Sequence, residues 1–145
     1  MATRNPATVH PDRSAVQLNG TTPVVVAAGP ATSAVGSDFQ RKIVCLRFSN
    51  IDTGVVTIIL NRQLKGGTAV QCDKITGLAI DGKWTPIRHD EGPMILRPGD
   101  QLTAVMSAPP TSVNPWAFAE IEDVRWQNGG GSWGRSWRSL PCPSC

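Results

Sequence analysis

The fold of this chain is decided in the stretch RKIVCLRFSNIDTGVVTIILN, residues 41–61. Two runs rich in Val, Ile, Leu and Phe flank the turn-forming segment IDTG. Short β-branched runs separated by Gly, Asp and Asn are typical of strands, and several at short spacing are typical of all-β proteins. The same pattern continues to residue 124. We therefore predict an all-β fold, a single antiparallel β-sandwich of jelly-roll or Ig-like type.

Alternating side chains indicate which faces of the strands are buried. In the first run the alternation predicts that one face carries Val44, Leu46 and Phe48 and the other carries Ile43, Cys45 and Arg47. Arg47 indicates that this second face is wet or paired. Residues 101–107 alternate in the same manner, which predicts another half-buried strand. Residues 116–124 are predicted to form the last strand of the sandwich.

Residues 54–61 differ from the other runs because they are apolar on both faces. A strand of this composition is usually central in its sheet and covered on both sides. We expect a second sheet to cover one face and a neighbouring subunit to cover the other.

Two dipeptides predict turns between strands. Asp81-Gly82 lies between β-rich runs, and both residues tolerate a positive φ, which predicts a β-hairpin. Pro98-Gly99 places Pro at position i+1 and Gly at position i+2 of a turn. That arrangement predicts a type II turn.

The two ends of the chain differ from its middle. Residues 1–20 contain Pro6 and Pro11 and show no sustained period, which predicts an extended N-terminal arm. Residues 21–125 are assigned to the β-sandwich domain. Residues 126–145 are assigned to an irregular C-terminal tail rich in Gly, Trp, Arg and Cys.

The composition favours contact with other proteins over contact with membranes or DNA. The chain has 145 residues, a net charge of +3 and 17% charged residues, against about 25% in typical soluble domains. Two interpretations stay open: a surface that meets other protein, or a surface of uncharged polar side chains. No apolar run approaches the ~18 residues of a membrane-spanning helix. The first residues lack the apolar core of a secretory signal, so we expect synthesis in the cytoplasm.

Four cysteines are present. Cys45 and Cys72 lie in apolar strand contexts and are expected to act as small buried apolar residues, which pair only if neighbouring strands bring them together. Cys142 and Cys145 form a CxxC pair without the βαβ context of a redox motif and without a second pair of zinc ligands. For this pair an inert tail, a disulfide or intersubunit link, and a metal site all stay open.

The acidic and histidine residues form no recognisable catalytic motif. Glu120 and Glu122 share one face of a strand, which fits two solvated carboxylates better than a glycosidase pair. The adjacent residues His89, Asp90 and Glu91 point in different directions, so a single metal ion cannot bind all three. Nucleophile, phosphate-binding and dinucleotide-binding motifs are absent from the sequence. We predict that the chain is not an enzyme and has no catalytic, cofactor-binding or metal-binding residues.

The C-terminal tail interleaves tryptophan with arginine. These two residue types dominate the hot spots of protein interfaces, and closely spaced tryptophans left in water favour aggregation. Docking on another protein is therefore the favoured interpretation. Packing back on the chain's own domain and stacking on single-stranded nucleic acid are the alternatives. The predicted partner-contact residues are Trp126, Trp133, Arg135, Trp137 and Arg138.

Four segments together resemble a known family. They are PVVVAA at residues 23–28, RFSNIDT at residues 47–53, ILRPGDQLTA at residues 95–104 and AFAEI at residues 117–121. Their combination is similar to the small virion structural proteins of tailed bacteriophages, the head decoration (cement) proteins. The resemblance spans residues 23–124. The Trp/Arg tail and the terminal cysteines have no counterpart in it.

The resemblance implies a β-sandwich that sits on a capsid and extends arms to its neighbours. The implied function is a capsid decoration protein of the virion, with homo-oligomeric copies bound to the major capsid protein or other virion proteins. A head–tail connector, tail or fibre-attachment subunit is the first alternative. A carbohydrate-binding β-sandwich, in which Trp84, Trp116 and Glu120 line a groove, is the second. The mild net charge disfavours nucleic acid as a partner.

Overall fold

The computed structural model describes residues 8–30 and 38–126. In these two segments the chain forms strands, turns and one 3₁₀ turn, and no helix there is long and apolar enough to cross a membrane. The all-β prediction is therefore confirmed. The nine strands are β1 Thr8–Gln17, β2 Val24–Ala28, β3 Asp38–Ser49, β4 Val56–Gln63, β5 Val70–Leu78, β6 Lys83–Ile87, β7 Met94–Leu96, β8 Gln101–Met106 and β9 Trp116–Trp126, and the 3₁₀ turn is His89–Glu91.

The strands form two antiparallel sheets. One has the order β1-β9-β3-β6, with β7 also paired to β3, and the other has the order β2-β8-β4-β5. Strands β6 and β7 pair with different parts of β3, so together they occupy one position in the sheet. Eight strand positions that alternate in this way between two sheets make a jelly roll. Of the two predicted sandwich types, the jelly roll is the observed one.

The core lies between the inner faces of the two sheets. Phe48 on β3 is fully buried and stacks on Trp84 of β6, with ring centroids 5.2 Å apart. Each such buried side chain stabilises the fold by about 1.5–3 kcal/mol relative to leaving it in water. Alternate residues of β8 and β9 are buried on the same side, namely Leu102, Ala104, Met106, Ala117, Ala119 and Ile121.

A β-bulge in β3 changes which of its residues reach the core. The β9 partners of Ile43 and Cys45 are consecutive residues, so Val44 is an extra residue on β3. An extra residue shifts the alternation by one position. Ile43 is consequently buried with Phe48, whereas Val44 is only partly buried. The prediction was right for Leu46 and Phe48, which are buried, and for Cys45 and Arg47, which face outward. It was wrong for Ile43 and Val44.

Residues 8–17, which the sequence assigns to an arm, belong to the sandwich. They form β1, which pairs antiparallel with β9 along its whole length. Pro11 is compatible with this position because β1 is an edge strand. A missing backbone N–H is tolerated on the open side of such a strand. The sandwich therefore begins earlier than residue 21.

Asp81-Gly82 forms a turn but not the predicted hairpin. Asp81 has a φ of 61°, and the Gly82 N–H donates to the carbonyl of Ala79 at 2.8 Å. However, β5 belongs to the four-stranded sheet and β6 to the five-stranded sheet. The turn thus carries the chain from one layer of the sandwich to the other.

The turn at Pro98-Gly99 is confirmed. Gly99 has a φ of 92°, and the Asp100 N–H donates to the carbonyl of Arg97 at 3.0 Å, as a type II turn requires. The Asp100 carboxylate also accepts the backbone N–H of Lys65 at 3.0 Å. The β4–β5 loop is thereby attached to this turn.

Candidate assembly interface

Two polar side chains are buried in the loop between β3 and β4. Asn50 is 0% exposed and Asp52 is 2% exposed. Burying an amide or a carboxylate is costly unless its hydrogen-bonding groups find partners. The partners of these two side chains show what the loop does.

The Asp52 carboxylate binds the loop between β8 and β9. Its Oδ2 accepts the backbone N–H of Thr111 at 2.7 Å, and its Oδ1 accepts those of Ser112 at 2.7 Å and Val113 at 3.0 Å. Oδ1 also accepts the backbone N–H of Thr53 at 2.8 Å and the Ser112 hydroxyl at 3.0 Å. Three consecutive backbone donors, 59 to 61 residues away in sequence, therefore converge on one side chain.

These donors keep Asp52 ionised. Burial by itself would raise the pKa of the carboxyl, but the backbone N–H groups of Val113, Thr111, Ser112 and Thr53 outweigh burial and hold the pKa well below its ordinary value. Hydrogen bonds to the charged form favour that form. The contacts are therefore charge-assisted, which makes them stronger than bonds between neutral groups.

The Asn50 side chain binds the turn between β5 and β6. Its Nδ2 donates to the carbonyls of Leu78 and Ala79 at 3.0 and 3.1 Å, and to that of Gly54 at 3.0 Å. Its Oδ1 accepts the backbone N–H of Asp52 at 2.9 Å. Asn50 thus joins its own loop to the β5–β6 turn and to the second buried side chain.

Backbone contacts complete the junction. The Asn50 N–H donates to the carbonyl of Gly82 at 2.9 Å, and the Asp81 N–H donates to the carbonyl of Asn50 at 3.0 Å. We call the junction of the β3–β4 loop, the β5–β6 turn and the β8–β9 loop through Asn50 and Asp52 the loop hub. It fixes three loops to one another at one end of the sandwich.

Four large aliphatic side chains lie on the loops of the hub and are exposed. Their exposed fractions run from 37% for Val113 to 65% for Val55. Each residue either makes a hub hydrogen bond through its backbone or is next in sequence to one that does. We call this group the aliphatic end; its members are Ile51, Val55, Ile80 and Val113.

The aliphatic end displays exposed apolar side chains on loops that the hub orders. A single exposed aliphatic residue is ordinary, but a group of them rimmed by polar residues marks an interaction site. The hub already orders the backbone that displays them. Covering this surface with a partner would therefore cost little conformational entropy.

No role for Asn50 or Asp52 was predicted from the sequence beyond their place near a turn. Asx residues just after a strand often bond to nearby backbone, so the local signal was present. The distant partners of Asp52 carry no signal of their own, because backbone N–H groups occur in every loop.

The predicted partner-contact residues lie at or beyond the end of the described segment. Trp126 is the last residue of β9, where it pairs with Asp38. Trp133, Arg135, Trp137 and Arg138 lie outside the described residues. Their role in partner contact stays a prediction.

The structure separates the residues considered for catalysis into two ion pairs. Glu120 and Glu122 lie on the outer face of β9, as predicted. The Nε2 atom of His89 lies 3.3 Å from Oε1 of Glu120, and the Lys42 Nζ lies 3.8 Å from Oε1 of Glu122. Each carboxylate is thus engaged with a different basic residue.

The prediction that Trp84, Trp116 and Glu120 line one carbohydrate-binding groove is wrong. Trp84 packs on Phe48, on the inner face of the five-stranded sheet. Trp116 stacks with Phe118 at a centroid distance of 6.4 Å. Because Ala117 between them points into the core, Trp116 and Phe118 lie on the outer face. The two tryptophans are on opposite sides of the sheet and line no common groove.

The cysteines in the described segments lie in different sheets. Cys72 on β5 is buried in the core, as predicted, whereas Cys45 on β3 is only partly buried. No disulfide joins them. Cys142 and Cys145 lie outside the described residues.

No protein-family model and no curated protein sequence matches this chain. Several solved structures are similar to this chain at low identity. A protein of the Bacillus endospore appendages, a family of disulfide-linked pili, is 17% identical over 83% of this chain and 89% of its own, with a TM-score of 0.42. A protein of infectious bursal disease virus, Gx strain, is 14% identical over 85% of this chain, with a TM-score of 0.45.

A protein of the extra small virus of the prawn Macrobrachium rosenbergii, solved as a virus-like particle, is 12% identical. It matches over 81% of this chain and 79% of its own, with a TM-score of 0.43. The chain spans 34% of the bursal disease virus protein. These neighbours are structural capsid and pilus proteins. At such identities and TM-scores the likeness carries no functional assignment for this chain.

Proposed function

We propose that this chain is a structural subunit that binds its neighbours in a larger assembly and catalyses no reaction. The aliphatic end is the observation that carries the proposal. Its members are exposed to water, yet the loops that display them are fixed by Asn50 and Asp52. A preordered apolar surface of this kind is suited to being covered by another protein.

The outer face of the four-stranded sheet supports the same function. Residues that are paired on neighbouring strands form two rows across this face, and Lys74 is the only charged residue in either row. Charged residues are depleted at the centres of protein interfaces. This face includes the outer side of β4, where the apolar composition of residues 54–61 predicts a neighbouring subunit. The rows are Val25, Thr103, Asn61 and Gln71, and Val105, Ile59 and Lys74.

In its specific form, the proposal is a decoration protein on the head of a tailed bacteriophage, bound to the major capsid protein. Jelly rolls occur in viral capsids, lectins and cupins alike, so the fold does not select among these functions. The specific form rests on the resemblance carried by residues 23–124. Many symmetric copies would give strong attachment from weak single contacts.

Substitution of the aliphatic end tests the docking surface. Ile51→Asp, Val55→Asp and Ile80→Asp place charges on it without touching the hub side chains. We expect a triple variant to lose at least about tenfold in affinity for capsids that lack the protein, because each aliphatic contact contributes of order 1 kcal/mol or more. Co-sedimentation with the capsids measures the affinity.

Leu64→Asp and Val70→Asp are the matched controls, because both residues are exposed large aliphatics away from the hub. They should leave the affinity unchanged. Equal binding by the triple variant and the wild type would remove the aliphatic end as the docking surface. The number of copies per virion separates the specific forms: hundreds support decoration of the head, and a single ring supports the connector or tail alternative.

A further inference from the structure

Three potential metal ligands meet on the outer face of the five-stranded sheet. The Cys45 Sγ, a ring nitrogen of His89 and a carboxylate oxygen of Glu120 lie within 4.8 Å of one another. The closest pair is His89 Nε2 and Glu120 Oε1, at 3.3 Å. Cys45 and Glu120 are partly buried, and His89 is exposed.

The fold brings these residues together from three separate elements. Cys45 on β3 lies directly opposite Glu120 on β9, and it faces outward because the next residue, Leu46, points into the core. His89 belongs to the 3₁₀ turn between β6 and β7. β6 and β7 pair with β3 on either side of Cys45, so the turn that joins them lies next to Cys45.

We propose that Cys45, His89 and Glu120 bind one Zn²⁺ ion, with water as the fourth ligand. This site is separate from the aliphatic end, so its failure would leave the docking proposal intact. Thiolate, imidazole and carboxylate are the three kinds of side chain that bind zinc, at about 2.0–2.3 Å. A single thiolate among the ligands favours zinc over magnesium and calcium, which prefer oxygen.

The observed spacing is close to what tetrahedral zinc needs. Bonds of about 2.0–2.3 Å at tetrahedral angles place neighbouring ligand atoms roughly 3.3–3.6 Å apart. The His89–Glu120 separation of 3.3 Å already meets this value. The two remaining pairs both include the Cys45 Sγ and are at most 4.8 Å apart, so rotations of the ligand side chains have to close the difference.

Two basic residues lie next to the site. Arg13 on β1 lies opposite Glu120, and Arg47 lies over the Phe118 ring at 5.5 Å from its centroid. Burial and the Glu120 carboxylate raise the pKa of the Cys45 thiol, and Arg47 lowers it. Zinc must therefore displace a proton from sulfur, as is usual for thiolate sites.

Titration with Co²⁺, which replaces Zn²⁺ in such sites and is coloured, tests the proposal. The full chain is reduced, stripped of metal and titrated while its absorption spectrum is recorded. We expect a sulfur-to-cobalt charge-transfer band and visible bands of tetrahedral Co²⁺, both abolished by Zn²⁺. Cys45→Ser should remove the charge-transfer band, and His89→Gln and Glu120→Gln should each weaken binding at least about tenfold.

Two controls make the result specific. Glu122→Gln changes the next outward carboxylate on β9 and should leave binding unchanged. A Cys142→Ser/Cys145→Ser variant removes the other thiol pair and should keep the charge-transfer band. The proposal is overturned if the wild type shows no such band with excess Co²⁺, or if the band survives Cys45→Ser and disappears with the two tail cysteines. In a parallel measurement, Zn²⁺ should raise the Tm of the wild type and not that of His89→Gln.

Discussion

The cluster around Asp52 and the cluster around Glu120 use similar side chains in opposite ways. Asp52 is buried, and all but one of its contacts are backbone N–H groups. The Glu120 side chain is 42% exposed, and it pairs with the side chain of His89. A carboxylate bonded to backbone fixes the path of the chain, whereas one bonded to another side chain leaves the backbone unconstrained.

The two clusters are also expected to differ in how much they stabilise the fold. Exposed ion pairs contribute about 0–1 kcal/mol, because water solvates both partners nearly as well when they separate. Buried polar groups lose that option, so removing one partner leaves the other unsatisfied. The hub is therefore a structural device, and the Glu120 cluster is free to exchange its internal contact for a ligand. Each prediction below tests this contrast.

The largest contrast is expected in amide hydrogen exchange. The backbone N–H groups of Thr111, Ser112 and Val113 lie in a loop but donate to buried Asp52. We expect them to exchange at least about 100-fold more slowly than the amides of the 3₁₀ turn His89–Glu91, because they open only when the hub opens. Exchange measured residue by residue by NMR gives the comparison. Equal rates in the two loops would contradict the idea that the hub orders the β8–β9 loop.

A large contrast is also expected in stability. In Asp52→Asn, one oxygen becomes an NH₂ group that faces backbone donors, and the negative charge that they surround is lost. We expect the Tm to fall by roughly 10 °C. Glu120→Gln keeps the size of an exposed side chain and should change the Tm by no more than about 2 °C.

Differential scanning calorimetry of both variants at neutral pH checks this pair. Asp73→Asn is a further control, because the Asp73 side chain accepts an exposed backbone N–H from the next residue. A small effect at Asp52 together with a large one at Glu120 would reverse the contrast.

The predictable part of this fold is its local part. The last strand, the alternation in β8 and the turn at Pro98-Gly99 follow from residues that are neighbours in sequence. The bulge at Val44, the change of sheet at Asp81-Gly82 and the pairing of β1 with β9 do not. Each of these depends on which distant strand is the partner, and a local pattern contains no such information.

The candidate sites follow the same rule. His89 and Glu120 were each noticed in the sequence, but their contact joins residues 31 positions apart. The alternation placed Cys45 on the outer side of its strand, but it does not reveal that β9 and the 3₁₀ turn bring Glu120 and His89 to the same point. For Asp52 the missing information is greater, because its partners are backbone groups whose side chains reveal nothing about the bond. A motif made of side chains can be searched for in a sequence, whereas a site made of one side chain and distant backbone N–H groups cannot.

The smallest expected contrast is in how the stability of the fold depends on pH. Asp52 has a folded-state pKa below its ordinary value, and the ordinary value of about 3.9 applies to the unfolded chain. Its bonds therefore add stability that is fully present above about pH 4 and is lost as the pH falls toward the folded-state pKa. The Asp52→Asn variant lacks this pH-dependent contribution at every pH, because the Asn amide does not titrate.

The Tm difference between wild type and Asp52→Asn should consequently be constant from about pH 7 to pH 5 and shrink by several degrees toward pH 2. Thermal melts followed by circular dichroism in buffers of equal ionic strength measure it. A difference that stays constant down to pH 2 would mean that the carboxylate charge contributes nothing, and that the hub depends only on the shape of the side chain. A shrinking difference assigns the stability of the three-loop junction to the ionised form of this one buried residue.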